Sequence, residues 1–279
     1  MMKWKKIPRE EYYRAETFLR EREKLCVTAS ARFLRLRENR GHVWRLEGPT
    51  SEIFSLLIHS RRTLFPVFNK NHLIAGPRFL NRFLGKIPIH AVQGIREDAE
   101  LLETLMEDQG YFAADRIDYY LMSLDSMHSG SIRMPEVPGL VLRLPAAADE
   151  EQLFRLQAAY EQEEVIPKNS NFNPAACRLN LKKILSEERV LVAELDGQVV
   201  GKINSSAESF TRYQIGGVYV RPDCRGRGIG AKMTAEFSQT LLGGGKGLTL
   251  FVKKRNAAAV KIYRKAGFSI LADYRISYY

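Results

Sequence analysis

The chain has 279 residues, 45% of them hydrophobic, and a formal net charge of +11, enough apolar material for one large core or two ordinary ones. No apolar run approaches the ~20 residues that span a bilayer, and the basic start Met1-Met-Lys-Trp-Lys-Lys lacks an apolar segment behind it, so the reading is a cytoplasmic protein. Cysteines 26, 177 and 224 are odd in number, widely spaced and without a C-x-x-C pair, which argues against a disulfide framework and a zinc knuckle.

In chain order, the pattern predicts a helix from Pro8 to about Glu23, then strands near His42–Leu46, Ile53–His59 and Thr63–Phe68. A helix over Pro77–Phe83 precedes a strand at Ile87–Val92, and a helix over Arg96–Glu107 precedes a strand at Ile117–Leu124. Leu73-Ile-Ala-Gly-Pro-Arg78 reads as glycine–proline punctuation. Residues 126–138 are rich in serine, glycine and proline and read as a linker between a module at 1–125 and a domain at 139–279.

After the linker, Leu140–Leu144 reads as a strand, and Asp149 as the cap of a helix through Glu150–Glu163. Pro174 opens a second helix carrying Leu179, Leu181 and Ile184. Val190–Leu195, Asp196-Gly197 and Val199–Ser205 form a hairpin. Tyr213–Val220 is a strand and Ala231–Leu242 a helix. Beyond the turn Gly243-Gly-Gly-Lys-Gly247 come a strand at Leu248–Val252, a helix opened by Asn256, and strands from Ser269 to Tyr279. Gly216-Gly217 suits a bulge that splays the Tyr213–Val220 strand from its neighbour and frees backbone groups.

Two segments carry the chemistry. Val218-Tyr219-Val220 runs into Arg225-Gly226-Arg227-Gly228-Ile229-Gly230-Ala231, where glycines let successive N–H groups converge at a helix N-terminus suited to a pyrophosphate. Asn256 and Tyr263 lie seven residues apart, two turns along one helical face, ahead of Gly267-Phe268. The loop also satisfies the dinucleotide pattern G-x-G-x-x-G/A, but the following strand ends in Lys253-Lys254-Arg255 rather than an acid, and only 49 residues follow Gly230.

Together these segments resemble the acetyl-CoA site of the GNAT superfamily of N-acetyltransferases. Arg225, Gly228 and Gly230 fill its Arg/Gln-x-x-Gly-x-Gly/Ala loop, and Asn256, Ala259, Tyr263, Gly267 and Phe268 match its following helix. The resemblance implies an α/β (α+β) fold, a mixed and mostly antiparallel sheet flanked by helices. The element order before residue 125 resembles a degenerate second GNAT-like α/β module, as in bacterial tandem proteins. It further implies transfer of an acetyl group from acetyl-CoA to a primary amine by direct attack in a ternary complex. Backbone groups of Val218, Tyr219 and Val220 and the loop 225–231 would hold the co-substrate, with Asn256 on the pantetheine arm. Tyr263 would be the general acid, since a phenol stays protonated at neutral pH.

No general base stands out: the position where some family members carry Glu is Gln214, and all five histidines precede residue 139. Glu163 and Glu164 end the helix that usually lines the acceptor pocket and are candidates for attracting a cationic amine; Glu208 is a weaker one. No histidine spacing suggests a metal. Residues 221–279 hold 12 Lys and Arg against 3 Asp and Glu, so +9 of the +11 coincides with the CoA half. That excess fits CoA phosphates better than nucleic acid, because aromatic interleaving is absent. The expected acceptor is a small-molecule or peptide amine, and the oligomeric state is not legible. The alternative is a non-catalytic acyl-CoA-binding regulatory protein on the same scaffold.

Overall fold

The computed structural model describes residues 2–36, 41–69, 84–125, 136–166 and 171–279. The helix expected over Pro77–Phe83, the Leu73–Arg78 stretch and most of the 126–138 linker lie outside the described residues. The chain divides into two compact units, Met1–Leu121 with Leu271–Tyr279, and Met122–Ile270. The fold is α/β, with mostly antiparallel strands flanked by helices.

In the first unit, β1 (Lys3–Lys6), β2 (Gly41–Glu47), β3 (Ile53–Ser60) and β4 (Thr63–Val67) form an antiparallel run. β4 then pairs in parallel with β5 (Ala91–Ile95). The C-terminal stretch Tyr274–Tyr278 pairs antiparallel with β5, so the end of the chain is structurally part of the first unit. Helix α1 (Tyr12–Glu21) lies within the helix expected from Pro8 to about Glu23, and helix α2 (Val27–Arg35), which the pattern did not predict, follows it after Arg22 and Cys26 leave the helical conformation around a short 3-10 turn. Strand β5 starts at Ala91, four residues later than the apolar run beginning at Ile87 suggests. Helix α3 (Arg96–Glu107) buries Ala99, Leu102 and Met106, spaced three and four apart on one face, against Leu57, Leu64 and Val92. Strand β6 (Asp115–Leu124) follows it.

The second unit carries β7 (Leu140–Arg143), β8 (Val190–Leu195), β9 (Gln198–Glu208) and β10 (Arg212–Val220) in one antiparallel run, with β11 (Gly247–Lys253) parallel to β10. Asp196 and Gly197 both take positive φ, 51° and 75°, which gives the tight hairpin turn its mirror-image twist. Helix α4 (Glu150–Tyr160) and helix α5 (Pro174–Glu187) cover one face, where Leu153, Leu156 and Leu181 meet Val192, Val199 and Tyr219. Leu179 points to solvent, so only Leu181 and Ile184 of the three expected residues are in the core. Asp149 does not cap α4 with its side chain. Its carboxylate instead accepts from Arg143, at 2.6 and 2.9 Å, and from the Ala146 N–H at 2.6 Å. After Tyr160 the helix widens into a π turn, Glu161–Val165. Helices α6 (Ile229–Leu242) and α7 (Ala257–Lys265) complete the unit.

Candidate active site on the bulged strand

Strand β10 carries the site because its pairing changes partway along. With β11 its parallel ladder runs from Arg212↔Gly247 to Ile215↔Leu250, so both strands continue beyond their shared hydrogen bonds. With β9 the register pairs Gly216 with Asn204 and resumes at Tyr219 with Lys202, which leaves Gly217 and Val218 facing one partner residue. Gly217 sits at φ 57°, and a Cβ there would lie 2.8 Å from Lys202 Nζ and closer still to Asn204 Oδ1. Only glycine fits that bulge.

Beyond Val220, a short 3-10 turn (Pro222–Cys224) leads to the glycine loop. Gly226 and Gly228 take φ 79° and 83°, the left-handed region, and Gly228 is the residue that starts α6. The Lys232 N–H bonds to Gly228 O at 3.0 Å. The three preceding amides, at Ile229, Gly230 and Ala231, therefore project from the helix end. The first turn of α6 carries no acidic residue. Converging amides, helix polarity and a first turn without an acid fit a pyrophosphate. Gly230 is less constrained: a Cβ would make ordinary contacts with Val220 Cγ2 at 3.7 Å and Ile262 Cδ1 at 3.9 Å.

Charged side chains are paired across this face. Arg225 turns back onto β10, donating from Nε to Val220 O at 3.0 Å and from both terminal nitrogens to Glu163, at 2.9 and 2.7 Å. The Tyr219 hydroxyl donates to the same carboxylate at 3.2 Å, and the guanidinium sits 5.1 Å from the Tyr219 ring centroid. The Arg225 hydrogen bonds hold the Glu163 carboxyl below its ordinary range. Glu164 pairs with Lys253 at 3.0 Å. The two glutamates are thus brought beside the loop, but as partners of cations. Arg227 carries its charge on the same loop, whereas Arg221 is tied to Asp223 and Gln198.

Asn256 caps α7 through its side chain, accepting from the Ala259 N–H at 3.0 Å. Tyr263, two turns on, is 7% exposed and packs edge-on against Phe268. Burial pushes its phenol well above the ordinary value, with Tyr160 and Glu164 adding to the shift. It therefore stays protonated throughout the physiological range, as an acid must. Gln214 is buried and donates to Ser206 Oγ at 3.1 Å, a structural amide. Among the described residues no group of His, Cys, Asp and Glu is placed to hold a metal ion.

Reading the sequence missed the group that fills the space behind the bulge. Lys202 is 1% exposed; its Nζ donates to Asn204 Oδ1 at 2.9 Å and to Gly217 O at 3.1 Å, and lies 5.1 Å from the Tyr160 ring centroid. Its signal was a lysine inside the otherwise apolar Val199-Val-Gly-Lys-Ile run.

Residues 186–270 match the family model described as an acetyltransferase (GNAT) domain. Among curated proteins none matches the sequence. Solved structures similar over nearly the whole chain include a GCN5-related N-acetyltransferase from Sphaerobacter thermophilus, with TM-score 0.64 and 20% identity, covering 100% of this chain and 95% of that one. A tandem GNAT protein from the clavulanic acid biosynthesis pathway gives TM-score 0.59 and 11% identity over 100% and 98% of the two chains. A Drosophila protein gives TM-score 0.70 and 12% identity over 99% and 98%. At these identities the structures show the fold alone, shared along the whole length of this chain, and the sequence match places a GNAT acetyltransferase domain at residues 186–270.

Proposed function

We propose that the chain is an acetyl-CoA-dependent N-acetyltransferase acting on a primary amine of a small molecule or peptide, by direct attack in a ternary complex. The observation that carries this reading is the continuity of one strand: β10 bulges at Gly217, leaves its parallel neighbour after Ile215, and runs directly into the left-handed glycines that open α6. The loop amides of 226–231 would take the pyrophosphate, while the backbone of Val218–Val220 would lie along the pantetheine arm and thioester. Donors aimed at a developing oxyanion are worth roughly 10²–10³ in kcat each. Tyr263, buried and protonated, would give its proton to the departing thiolate.

A second reading, an acyl-CoA-binding protein without turnover, is favoured by specific side chains. Gln214 stands where a carboxylate base would be useful, and Glu163 and Glu164 are both ion-paired. One experiment separates the two. Purified protein is titrated with acetyl-CoA and then offered a panel of amines while free CoA thiol is measured. Binding with turnover is the expected result; binding without turnover on any amine favours the second reading, and no binding removes both.

A further inference from the structure

We propose that Lys202 is a positioning residue for acyl transfer: it fixes and polarises the Gly217–Val218 peptide unit so that the Val218 N–H becomes a strengthened donor to the thioester carbonyl of bound acetyl-CoA. This rests on the acetyltransferase reading and names a residue through which its site works.

A lysine buried to this degree needs compensation, since an isolated buried ammonium is among the least favourable groups in a protein. The compensation is specific. Asn204 gives its oxygen to Lys202 while its amide nitrogen donates to Glu188 Oε2 at 2.7 Å, which fixes which end of the amide faces the lysine. The second acceptor is Gly217 O, the carbonyl at the centre of the bulge.

That carbonyl shares its peptide unit with the Val218 N–H. The peptide is trans, so the two groups point in opposite directions. Val218 lies outside the β9 ladder at the bulge and beyond the end of the β11 ladder. Lys202 therefore pulls on one end of an amide whose other end is directed away from it, on the strand expected to line the thioester. A charge-assisted bond to a carbonyl strengthens the N–H of the same amide by cooperative polarisation. The close fit of Asn204 and Lys202 against Gly217 keeps the unit from rotating.

Several groups face the ammonium: Tyr160 from α4, Glu161 from the π turn, Cys177 from α5, Glu188 at the end of α5, and Tyr219 across the ladder. Burial lowers Lys202 to about 8, and the charges of Glu188 and Glu161 oppose that shift. The Cys177 thiol is pushed up to about 12, above the window in which Lys202 titrates. Polarisation is present while Lys202 is protonated and fades as pH rises through its pKa.

The test uses the full chain and acetyl-CoA isotope-labelled at its thioester carbonyl carbon, read by isotope-edited infrared difference spectroscopy. In the wild type the bound carbonyl band should lie below that of free acetyl-CoA and relax upward as pH passes through about 8. Glu188→Gln should move that midpoint to lower pH, because one of the charges favouring the ammonium is gone. Lys202→Met should retain acetyl-CoA binding and lose most of the band shift. A wild-type band that ignores pH across this window overturns the proposal whether or not the methionine variant folds, and so does a Lys202→Met band equal to wild type. A merely space-filling lysine gives both of those results. If the wild type binds no acetyl-CoA, the acetyltransferase reading itself fails and takes this one with it.

Discussion

The two units share a strand pattern and differ in what is attached to it. In each, an antiparallel run ends in a strand that pairs in parallel with the next: β4 with β5 in the first, β10 with β11 in the second. In each, that parallel ladder is short, two pairs at Thr63–Leu64 and four at Arg212–Ile215. The first unit even keeps a small cavity there, lined by Cys26, Val67, Gly94, Ile95 and Tyr274. Polarity separates them. Just past β4, the Phe68 N–H is taken at 3.0 Å by the carboxylate of Asp98 in α3, the helix that follows β5. Just past β10 the chain turns through left-handed glycines into a helix whose first turn has no acid. A sheet that splays is a scaffold; uncommitted amides and an absence of negative charge are what fit it to a diphosphate.

The largest expected effect breaks that distinction directly. Gly228→Val puts a β-branched residue at φ 83°, so the loop cannot keep its conformation, and calorimetry should show acetyl-CoA binding lost. The same substitution at Gly94 in the first unit should leave acetyl-CoA affinity as it was; a loss there would mean that the first unit contributes to the site.

Next in size is chemistry. Tyr263→Phe removes only a hydroxyl, and single-turnover rates should fall by roughly 10²-fold while acetyl-CoA affinity changes little. An unchanged chemical step would remove Tyr263 from the mechanism.

A smaller effect sharpens the electrostatic side. Arg225 and Glu163 are each 43% exposed, so their pair is solvent-screened and worth no more than about 1 kcal/mol. Glu163→Gln should free Arg225 for the cofactor phosphates and raise acetyl-CoA affinity by at most about fivefold, an advantage that shrinks as salt is added. Weaker binding in this variant would show that Glu163 positions the loop rather than competing for its arginine.

Stability against pH provides the finest test. Lys202 has a folded pKa below its unfolded value, so the unfolded chain binds the extra proton between about 8 and 10.5. Stability then gains from this residue as pH rises through that interval. In denaturant titrations, Lys202→Met should lack that contribution, and its pH slope there should be more negative than that of the wild type.

Much of this was legible in the sequence because it is written locally. The left-handed glycines at 226 and 228, the bulge at Gly216-Gly217, the mirror-image turn at Asp196-Gly197 and the capping Asn256 each follow from a backbone requirement that few residue types satisfy. What escaped was non-local. Nothing near Glu163 says that Arg225, 62 residues on, will hold its carboxylate. Lys202 escaped for the same reason: a lysine in a strand reads as an outward position until the bulge carbonyl across the ladder is seen to meet it. The C-terminal strand was recognised as a strand, but its partner β5 lies about 180 residues earlier, from Tyr274↔Ile95 to Tyr278↔Ala91, a pairing that local pattern cannot specify.

On the proposed function the second unit holds an acetyl-CoA site and the first does not, and isothermal titration calorimetry reads that difference as a stoichiometry. One molecule of acetyl-CoA per chain is expected, at a site abolished by Gly228→Val. Two sites per chain, or a single site that survives Gly228→Val, would contradict that reading.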